Sequence, residues 1–397
     1  MRQVLVCGAA VVTLSMGIRH GFGLWLLPIT QDRGWTREAF SLAMAIQNIA
    51  WGVFGVFAGM VADRWGAFRV VLAGCALYAL GLAGMALSAT PTQFALTAGV
   101  LIGAAQAGTT YAVIYGIIGR QIDPARRSWA MGMTAAAGSF GQFLMVPVEG
   151  VLIGTLGWQQ ALLALSALVL LIVPLAFFLR EPGFAGGKAP VREQTIGQAL
   201  SEAVKYRSFQ LLMGGFFVCG FQVVFIGVHM PSYVKDNGLS PQVASYALAL
   251  IGLFNVVGTY AAGVMGQQIA RRKILAGIYF GRSIAIALFL WAPLTPLSVY
   301  VFSAVIGLLW LSTVPPTNAT VAQIFGVAHL SMLGGFVFFS HQVGSFLGVW
   351  LGGLLYDRTG SYDVVWWIAI ALGVFAAVVN IQVREEPIRR GPVPQPA

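Results

Sequence analysis

Four ionisable side chains stand out inside long apolar runs of this sequence, where such side chains are rare. Arg19 and His20 fall in the first run, Arg282 in the ninth and His341 in the eleventh. A cation in such a position is costly unless it meets a partner or a water-filled space. Arginine binds carboxylates through a planar pair of N–H donors, and histidine exchanges protons near neutral pH. These residue types predict an anion site linked to a proton.

Adjacent positions on a helix point about 100° apart, so Arg19 and His20 are not expected to face the middle of one cavity together. We expect His20 to line the cavity and Arg19 to lie at its edge or against a neighbouring helix. Arg282 is expected either to contact an anion or to bond carbonyl oxygens of adjacent helices. His20 and His341 are the expected proton-coupling residues, with a neutral, packed imidazole as the alternative for each.

Other polar and aromatic groups extend the predicted substrate site. Tyr111 and Tyr115 are four residues apart, so they share a helix face and offer two hydroxyl donors. Trp310 is central in its run and could stack on a substrate or enclose it. The full predicted substrate-binding set is Arg19, His20, Tyr111, Tyr115, Asn255, Arg282, Trp310, His341 and Gln342.

The elements that position these residues are apolar runs long enough to cross a bilayer. Of the 397 residues only 9% are charged and 58% are apolar, whereas about a quarter of an ordinary soluble domain is charged. A hydrocarbon core about 30 Å thick requires roughly 20 apolar residues per helix. The expected runs are 4–29, 39–61, 69–89, 93–118, 129–154, 159–179, 209–233, 243–265, 274–292, 298–322, 329–356 and 362–382. The fold class is therefore an all-α membrane protein with twelve transmembrane helices.

Basic residues are distributed unevenly between alternate loops. Of the 23 Lys and Arg residues, 17 fall on the side of both termini, 4 on the other side and 2 inside the runs. Because cytoplasmic loops are enriched in Lys and Arg, we expect both termini in the cytoplasm and the chain in the inner membrane. The net charge of +10 then reflects topology, and no nucleic-acid partner is expected.

The two halves of the chain repeat each other. GMVADRWGAFR from Gly59 corresponds to GVMGQQIARRK from Gly263, and GSF occurs at Gly138 and again at Gly344. Parallel six-helix repeats are a known transporter architecture. We therefore expect two bundles related by a pseudo-twofold axis around a central cavity. The expected organisation is a first bundle at 1–180, a cytoplasmic linker at 181–207, a second bundle at 208–383 and a cytoplasmic tail at 384–397.

Motifs for enzymatic chemistry are missing from the sequence. There is no GxxxxGK[ST] nucleotide loop, no HExxH or clustered Cys/His metal site, and no GxSxG nucleophile. Cys7, Cys75 and Cys219 stand far apart in apolar runs. We expect no enzyme activity, no cofactor and no metal.

The stretch GMVADRWGAFR, placed after the second run, resembles the loop motif of the major facilitator superfamily. Its Gly permits close helix approach, and its Asp can cap the next helix and pair with a nearby Arg. The resemblance covers the whole chain through the twelve runs and the half repeat. It implies the superfamily fold, a monomer, and a gating role for Gly59, Asp63, Arg64 and Arg69.

Three further segments resemble bacterial relatives of the monocarboxylate and oxalate/formate porters. They are FGLWLLPITQDRGWTREAFSLA from Phe22, HMPSYVKDNGLS from His229 and LGGLLYDRTGSYD from Leu351. This resemblance implies membership of a subfamily whose members carry quite different substrates; the expectation of a small organic anion comes from the cationic residues inside the runs.

Several positions depart from those porters. His20 aligns with a Lys of the animal carriers, and Asn255 and Thr259 align with an Asp and an Arg. Trp310 is similar in oxalate exchangers, which carry a Lys near His341. Because these proton-coupling residues are replaced, His20 or His341 must take over that role here.

The expected function is secondary active transport of a small, monocarboxylate-like organic anion together with protons, by alternating access across the lipid bilayer. One alternative is a carrier or exporter of a larger aromatic compound, such as a flavin or a drug. A second alternative, from another class, is a membrane sensor that binds its ligand without transporting it.

Overall fold

The computed structural model of the chain describes residues 2–122, 124–180, 196–326 and 330–388. Over these ranges the secondary structure is helical, with no strand. Twelve helical spans are long and apolar enough to cross a membrane, which confirms the predicted fold class. Spans 1 to 12 are Gln3–Arg33, Arg37–Ala62, Ala67–Leu87, Pro91–Ile118, Trp129–Leu156, Trp158–Phe177, Arg207–Asp236, Pro241–Met265, Arg271–Trp291, Pro296–Phe325, Met332–Thr359 and Asp363–Ile381.

Eight of the spans are single helices, and three of these helices extend beyond the span limits. The single helices are Arg37–Trp65, Ala67–Leu87, Pro124–Leu156, Arg207–Asp236, Pro241–Met265, Arg271–Trp291, Leu330–Thr359 and Asp363–Ile381. A short helix at Ile196–Lys205 precedes span 7, where the spacing of apolar residues favours one. Much of the predicted linker, 181–195, and most of the predicted tail, 389–397, lie outside the described residues.

Spans 1 and 10 are interrupted near their middles. In span 1 the helix Arg2–His20 ends, a 3-10 turn covers Phe22–Trp25, and a second helix runs over Leu26–Arg33. Span 10 consists of Pro296–Leu309 and Val314–Phe325. The two prolines after Val314 lack backbone N–H groups and favour the first turn of a helix. Each interruption leaves backbone carbonyls that need other partners.

Spans 4 and 6 are also segmented. Span 4 comprises Pro91–Phe94, a π-helical stretch Ala95–Leu101, then Ile102–Thr109 and Tyr111–Gln121. Span 6 comprises Trp158–Val169 and Ile172–Phe177.

Each half of the chain has its own apolar core, formed mainly by spans 1 to 6 in one half and 7 to 12 in the other. Glycines bring the central helices of each half together. A Cβ at Gly141 of span 5 would overlap the backbone of Thr13 in span 1. In the second half, a Cβ at Gly344 of span 11 would overlap the backbone of Phe217 in span 7. The same pairing of spans thus recurs in both halves.

The two bundles meet over only part of the membrane thickness. We call the side that carries the ends of spans 1 and 12 nearest the chain termini the terminal side, and the other the opposite side. Near the middle, Gln342 Nε2 donates to the Asn48 carbonyl at 3.0 Å and Gln142 Nε2 to the Leu248 carbonyl at 2.9 Å. Toward the terminal side, no described atom lies within 4 Å of a Cβ built at Gly55 or Gly335. The bundles are therefore apart on the terminal side and packed together from the middle to the opposite side.

Candidate functional site

A small chamber lies between the bundles, where the interruptions of spans 1 and 10 come close. Its volume is about 30 Å³, enough for about two water molecules. Spans 1, 2, 5, 7 and 10 contribute to its wall. The polar residues that line it are Arg19, His20, Gln47, Asn48, Gln142 and Trp310, and span 7 adds Val223, Val224, Gly227 and Val228.

Arg19 supplies the positive charge of the chamber. Its Nη2 donates to Asn48 Oδ1 at 2.6 Å, and its guanidinium carbon lies 4.7 Å from the centre of the Trp51 ring. Its Nε is buried and has no hydrogen-bond partner among the described residues. No carboxylate of the described residues forms an ion pair with Arg19. The guanidinium therefore has donor capacity left for an anion.

His20 lines the same chamber as Arg19. Both reach it because the helix ends at His20, where the chain enters the turn of span 1. His20 Nδ1 lies 2.7 Å from the Met16 carbonyl oxygen, and a carbonyl only accepts, so Nδ1 carries the proton. Nε2 then holds a lone pair, and no described residue hydrogen-bonds to it. This nitrogen is able to take up a proton inside the chamber.

Trp310 lies at the interruption of span 10 and is only 2% exposed. Its Nε1 has no hydrogen-bond partner among the described residues, although the ring lines the chamber. An unpaired buried donor is unfavourable unless a ligand or water completes it. Gln142 Oε1, also in the chamber wall, lacks a partner as well. The chamber thus offers both an indole donor and an amide acceptor.

Arg282 is not brought to the chamber. It is 1% exposed, and its Nε and Nη2 donate to the Leu309 carbonyl at 3.0 and 2.7 Å. Nη2 also donates to the Trp310 carbonyl, and Nη1 donates to Gln222 Oε1 at 3.3 Å. Of the two expected roles, the geometry matches bonding to helix carbonyls. The cation takes up the carbonyls that the interruption of span 10 exposes.

Asn255 supports the same interruption from span 8. Its Oδ1 accepts from the Leu311 backbone N–H at 3.0 Å and from Thr259 Oγ1 at 3.0 Å. Its Nδ2 donates to Ser139 Oγ of span 5 at 2.9 Å. Asn255 therefore joins the bundles and holds the backbone beside Trp310, and it does not line the chamber.

His341 and Gln342 connect to the chamber indirectly. His341 Nδ1 lies 3.2 Å from Gln342 Oε1, and Gln342 Nε2 donates to the Asn48 carbonyl. Asn48 Oδ1 in turn accepts from Arg19. Hydrogen bonds therefore connect His341 of span 11 to Arg19 through Gln342 and Asn48. The His341 ring itself packs against Phe338 and Phe216.

Tyr111 and Tyr115 share a helix face, as their spacing predicts, with ring centres 5.6 Å apart. Neither lines the enclosed chamber. The Tyr111 hydroxyl lies against Gly138 so closely that a Cβ at that glycine would overlap it. The two phenols are placed between spans 4 and 5 of the first bundle.

The motif residues on the terminal side have no contact with the second bundle in the described part of the chain. Arg64 and Arg69 are exposed, and Arg64 lies over the Trp65 ring at 5.3 Å. A Cβ at Gly59 would meet nothing within 4 Å. The side chain of Asp63 lies outside the described residues. Their gating role stays a prediction.

The opposite side is closed by a group of residues that the sequence did not single out as a site. Arg37 Nη1 and Nη2 donate to Asp236 at 2.6 and 2.8 Å, which joins spans 2 and 7. Asp357, at the end of span 11, accepts from the backbone N–H groups of Arg37 and Glu38 at 3.2 and 2.6 Å. We call Arg37, His229, Asp236, Asp357 and Tyr362 the latch.

The sequence did hold a signal for the latch. Its five residues all occur in the three segments whose resemblance to the monocarboxylate and oxalate/formate porters was noted. Those segments are far apart in the chain, and the structure brings them together at one end of the interface. The three segments that carry the resemblance therefore also form the contact that closes the opposite side.

A second cavity of about 490 Å³ lies beside the chamber toward the opposite side, between spans 1, 5, 7 and 8. Gly23 lines both cavities. A Cβ at Gly23 would overlap the Gly227 carbonyl oxygen, so spans 1 and 7 approach each other closely where the two cavities adjoin. Nearby, Glu149 is fully buried and accepts from Trp25 Nε1 at 2.7 Å, with its other oxygen unpaired among the described residues.

Comparison with curated proteins finds relatives that match this chain over most of its length and most of theirs. The chain is 23% identical over 370 residues to the uncharacterized MFS-type transporter YcxA of Bacillus subtilis, covering 91% of this chain and 90% of that protein. It is 26% identical to monocarboxylate transporter 11 of Mus musculus, covering 91% and 82% of the two chains. It is 22% identical to the oxalate:formate antiporter of Oxalobacter formigenes, covering 94% and 90%.

Among solved structures, a bacterial homolog of the human lysosomal transporter Spinster, inward-facing and unoccupied, superposes with a TM-score of 0.77 at 16% identity. The match covers 96% of this chain and 98% of that one. The family model described as Major Facilitator Superfamily matches residues 5–327 and 212–397. The chain therefore belongs to the Major Facilitator Superfamily and is a multi-pass membrane transporter, not an enzyme.

Proposed function

We propose that this protein carries a small organic monoanion, a carboxylate with a short apolar tail, together with a proton by alternating access. The observation that supports this most is the chamber. It contains one arginine with spare donor capacity, an unpaired indole N–H and a free imidazole nitrogen, and no carboxylate from the described residues. The curated relatives named for monocarboxylates and for oxalate and formate support an anionic passenger.

The passenger's charge follows from the count of cations. Arg282 is occupied by backbone carbonyls of its own bundle, so Arg19 alone supplies permanent positive charge to the chamber. While His20 is neutral, one arginine matches one carboxylate, and a dianion would leave one charge uncompensated in a site of low dielectric. The valines of span 7 on the facing wall suit an apolar tail.

A proton link follows from the tautomer of His20. With Nδ1–H donating to Met16, His20 lines the chamber with a lone pair on Nε2, and this lone pair would repel a carboxylate. Protonation converts Nε2 into a donor and adds a second positive charge, so proton and anion bind better together than separately. This reciprocal dependence is the thermodynamic basis of symport. His341 is proposed to act through the Gln342 and Asn48 connection to Arg19.

Alternating access is proposed to proceed by rocking of the two bundles. In the state described, the latch closes the opposite side and the terminal side is open. By the distribution of Lys and Arg, the terminal side is proposed to be the cytoplasmic side of the inner membrane. Gly59, Asp63, Arg64 and Arg69 would close that side in the other half of the cycle.

The test is uptake by proteoliposomes containing the purified protein. We expect accumulation of labelled acetate, lactate or pyruvate that increases when the source compartment is acidified, and little uptake of succinate. Arg19→Gln should abolish the uptake, whereas Tyr115→Phe, outside the chamber, should transport normally.

Three results would contradict the proposal. Equal uptake by Arg19→Gln would remove the cation from the mechanism. Failure with every small acid together with uptake of riboflavin or a dye would favour a carrier of larger aromatic compounds. Ligand binding with no counterflow would instead favour a sensor.

A further inference from the structure

The latch contains a buried histidine that the proposed transport mechanism does not use. His229 of span 7 has none of its surface exposed. Its Nε2 lies 2.8 Å from the Val349 carbonyl oxygen of span 11, and its Nδ1 lies 3.2 Å from the Tyr362 hydroxyl. The imidazole therefore connects spans 7 and 11 to Tyr362, the residue before span 12. It lies next to the contact that closes the opposite side.

The hydrogen-bond partners fix the positions of the protons. The Val349 carbonyl only accepts, so Nε2 carries a hydrogen and donates it. Nδ1 is then unprotonated and accepts from the Tyr362 hydroxyl. That hydroxyl oxygen in turn accepts from Arg37 Nη1 at 2.8 Å. Burial raises the pKa of the Tyr362 phenol, so it keeps the hydrogen that it donates to His229.

A second proton on His229 conflicts with this arrangement. It would have to occupy Nδ1, where it meets the hydrogen of the Tyr362 hydroxyl. If the hydroxyl turned away, it would lose its acceptor while still facing Arg37. The imidazolium would also lie one hydroxyl group away from the Arg37 guanidinium. Space for rearrangement is lacking, because Gly352 lies against the ring and a Cβ there would overlap it.

The groups that face His229 offer no compensating negative charge within the described residues. Asp236 is engaged by Arg37, and Asp357 by the first backbone N–H groups of span 2. Glu38 accepts from Trp350 Nε1 at 3.2 Å. The other titratable, charged or polar neighbours, grouped by element, are Arg37 and Ser41 of span 2, Tyr233 of span 7, Tyr356 of span 11 and Tyr362 before span 12.

From this geometry we propose that His229 is a proton-binding site that controls the latch: the neutral imidazole keeps the opposite side closed, and protonation from that side opens it. The proton enters when the bundles separate there and must leave before they close again. The inference goes beyond the transport proposal, because it concerns the empty protein and requires no particular passenger. It predicts that acid shifts the resting population toward the state open to the opposite side.

The experiment measures the distance between the bundles in the empty protein by double electron–electron resonance. Spin labels are placed at Thr92 and Asn237, which are exposed on the opposite side of the first and second bundle. The three cysteines are replaced by alanine. Between about pH 7.5 and about pH 5.5, which bracket the ordinary titration of histidine, the long-distance fraction should rise about threefold or more.

His229→Gln is the decisive variant. A glutamine amide can donate to Val349 and accept from Tyr362, but it does not titrate, so the latch should stay closed at both pH values. Tyr362→Phe removes the conflicting hydroxyl and should also reduce the pH response, with a larger open fraction at neutral pH. His20→Gln, in the chamber, should keep the response of the unmodified protein.

The possible results of this experiment either support or overturn the proposal. A flat response in His229→Gln or, if that variant does not fold, in Tyr362→Phe supports the site when His20→Gln still responds. An unchanged acid response in the folded His229→Gln protein overturns it. No acid response in the unmodified protein also overturns it, whether or not the protein transports carboxylates.

Discussion

Single side chains in this protein differ in whether their donors are already used. Arg282 has its N–H groups spread over two backbone carbonyls and a glutamine. Arg19 has one hydrogen bond to Asn48 and an unpaired Nε. A buried ion is retained only where something compensates it. Arg282 is compensated by the protein itself, whereas Arg19 has a donor free to bind a ligand. We therefore expect opposite phenotypes when the two are changed.

Trp310→Phe tests the indole donor without removing the aromatic ring. A hydrogen bond to a charged group contributes about 1.5 kcal/mol or more, so the KM for the carboxylate should rise about tenfold or more, with less change in kcat. Trp366→Phe is the matched control, because Trp366 is also buried with an unpaired Nε1 but lies in span 12, away from the chamber. A rise in KM of the same size in both variants would mean that the indole N–H of Trp310 does not contact the passenger.

Arg282→Met tests the structural role of the other arginine. It leaves the Leu309 and Trp310 carbonyls without their donor, and each buried acceptor left unsatisfied costs about 1–3 kcal/mol. The thermal midpoint of the purified protein should fall markedly, and Arg282→Lys should restore part of it. Arg19→Met should change the midpoint far less while abolishing uptake. A stable Arg282→Met protein with normal folding and a raised KM would return Arg282 to the substrate site.

These two arginines also show how much of the role of a single residue can be predicted from the sequence. Both stand out because charge is rare in apolar runs, and both roles were open for Arg282. What decides between them is the interruption of span 10 at Trp310, which exposes carbonyls beside Arg282, while Trp310 itself lines the chamber with Arg19. Hydropathy does not register a break of three or four residues, since the residues around it are as apolar as the helices.

At the scale of helices, close packing on the opposite side depends on glycines of span 11. A Cβ at Gly353 would lie 2.7 Å from the carbonyl oxygen of Arg37 and 2.5 Å from Ser41 Oγ, so spans 2 and 11 approach almost backbone to backbone. Gly335, about five helical turns toward the terminal side of the same span, faces open space in this state. The two glycines are thus matched positions with opposite environments.

Gly353→Val should prevent the opposite side from closing. The isopropyl group cannot be accommodated beside Ser41, so the bundles should remain apart there, uptake should be lost, and the long-distance fraction in spin-label measurements should dominate at neutral pH. Gly335→Ala is the control and should leave that distance distribution unchanged. Closed bundles in a folded Gly353→Val protein would show that the contact between spans 2 and 11 does not limit closure.

The latch illustrates why contacts between helices could not be predicted from the sequence. Arg37 bonds Asp236 and Tyr362, residues 199 and 325 positions away, and nothing local in either segment indicates its partner. The charged residues lie at span ends, where a solvated side chain is the ordinary expectation. Only the resemblance of the three segments to one family pointed to them, and a resemblance names residues without stating what they touch.

For the whole molecule, the sequence was sufficient to predict twelve spans, because hydropathy and length are set by the bilayer itself. The limits differ by a few residues, mainly because helices such as Arg37–Trp65 extend past the apolar run into polar ends. The conformational state was beyond the sequence. A transporter must adopt at least two states with one sequence, so no pattern of residues specifies which of them is closed.

Orientation in the membrane is the last property of the whole molecule that can be tested directly. The excess of Lys and Arg on the terminal side predicts that this side faces the cytoplasm. In intact cells, a membrane-impermeant maleimide should label Thr92→Cys, which is exposed on the opposite side. It should not label Gly197→Cys, at an open position in the helix before span 7, until the membrane is permeabilised. The three native cysteines are buried, which keeps the background low. Labelling of Gly197→Cys alone in intact cells would invert the topology and, with it, the compartment from which the latch takes its proton.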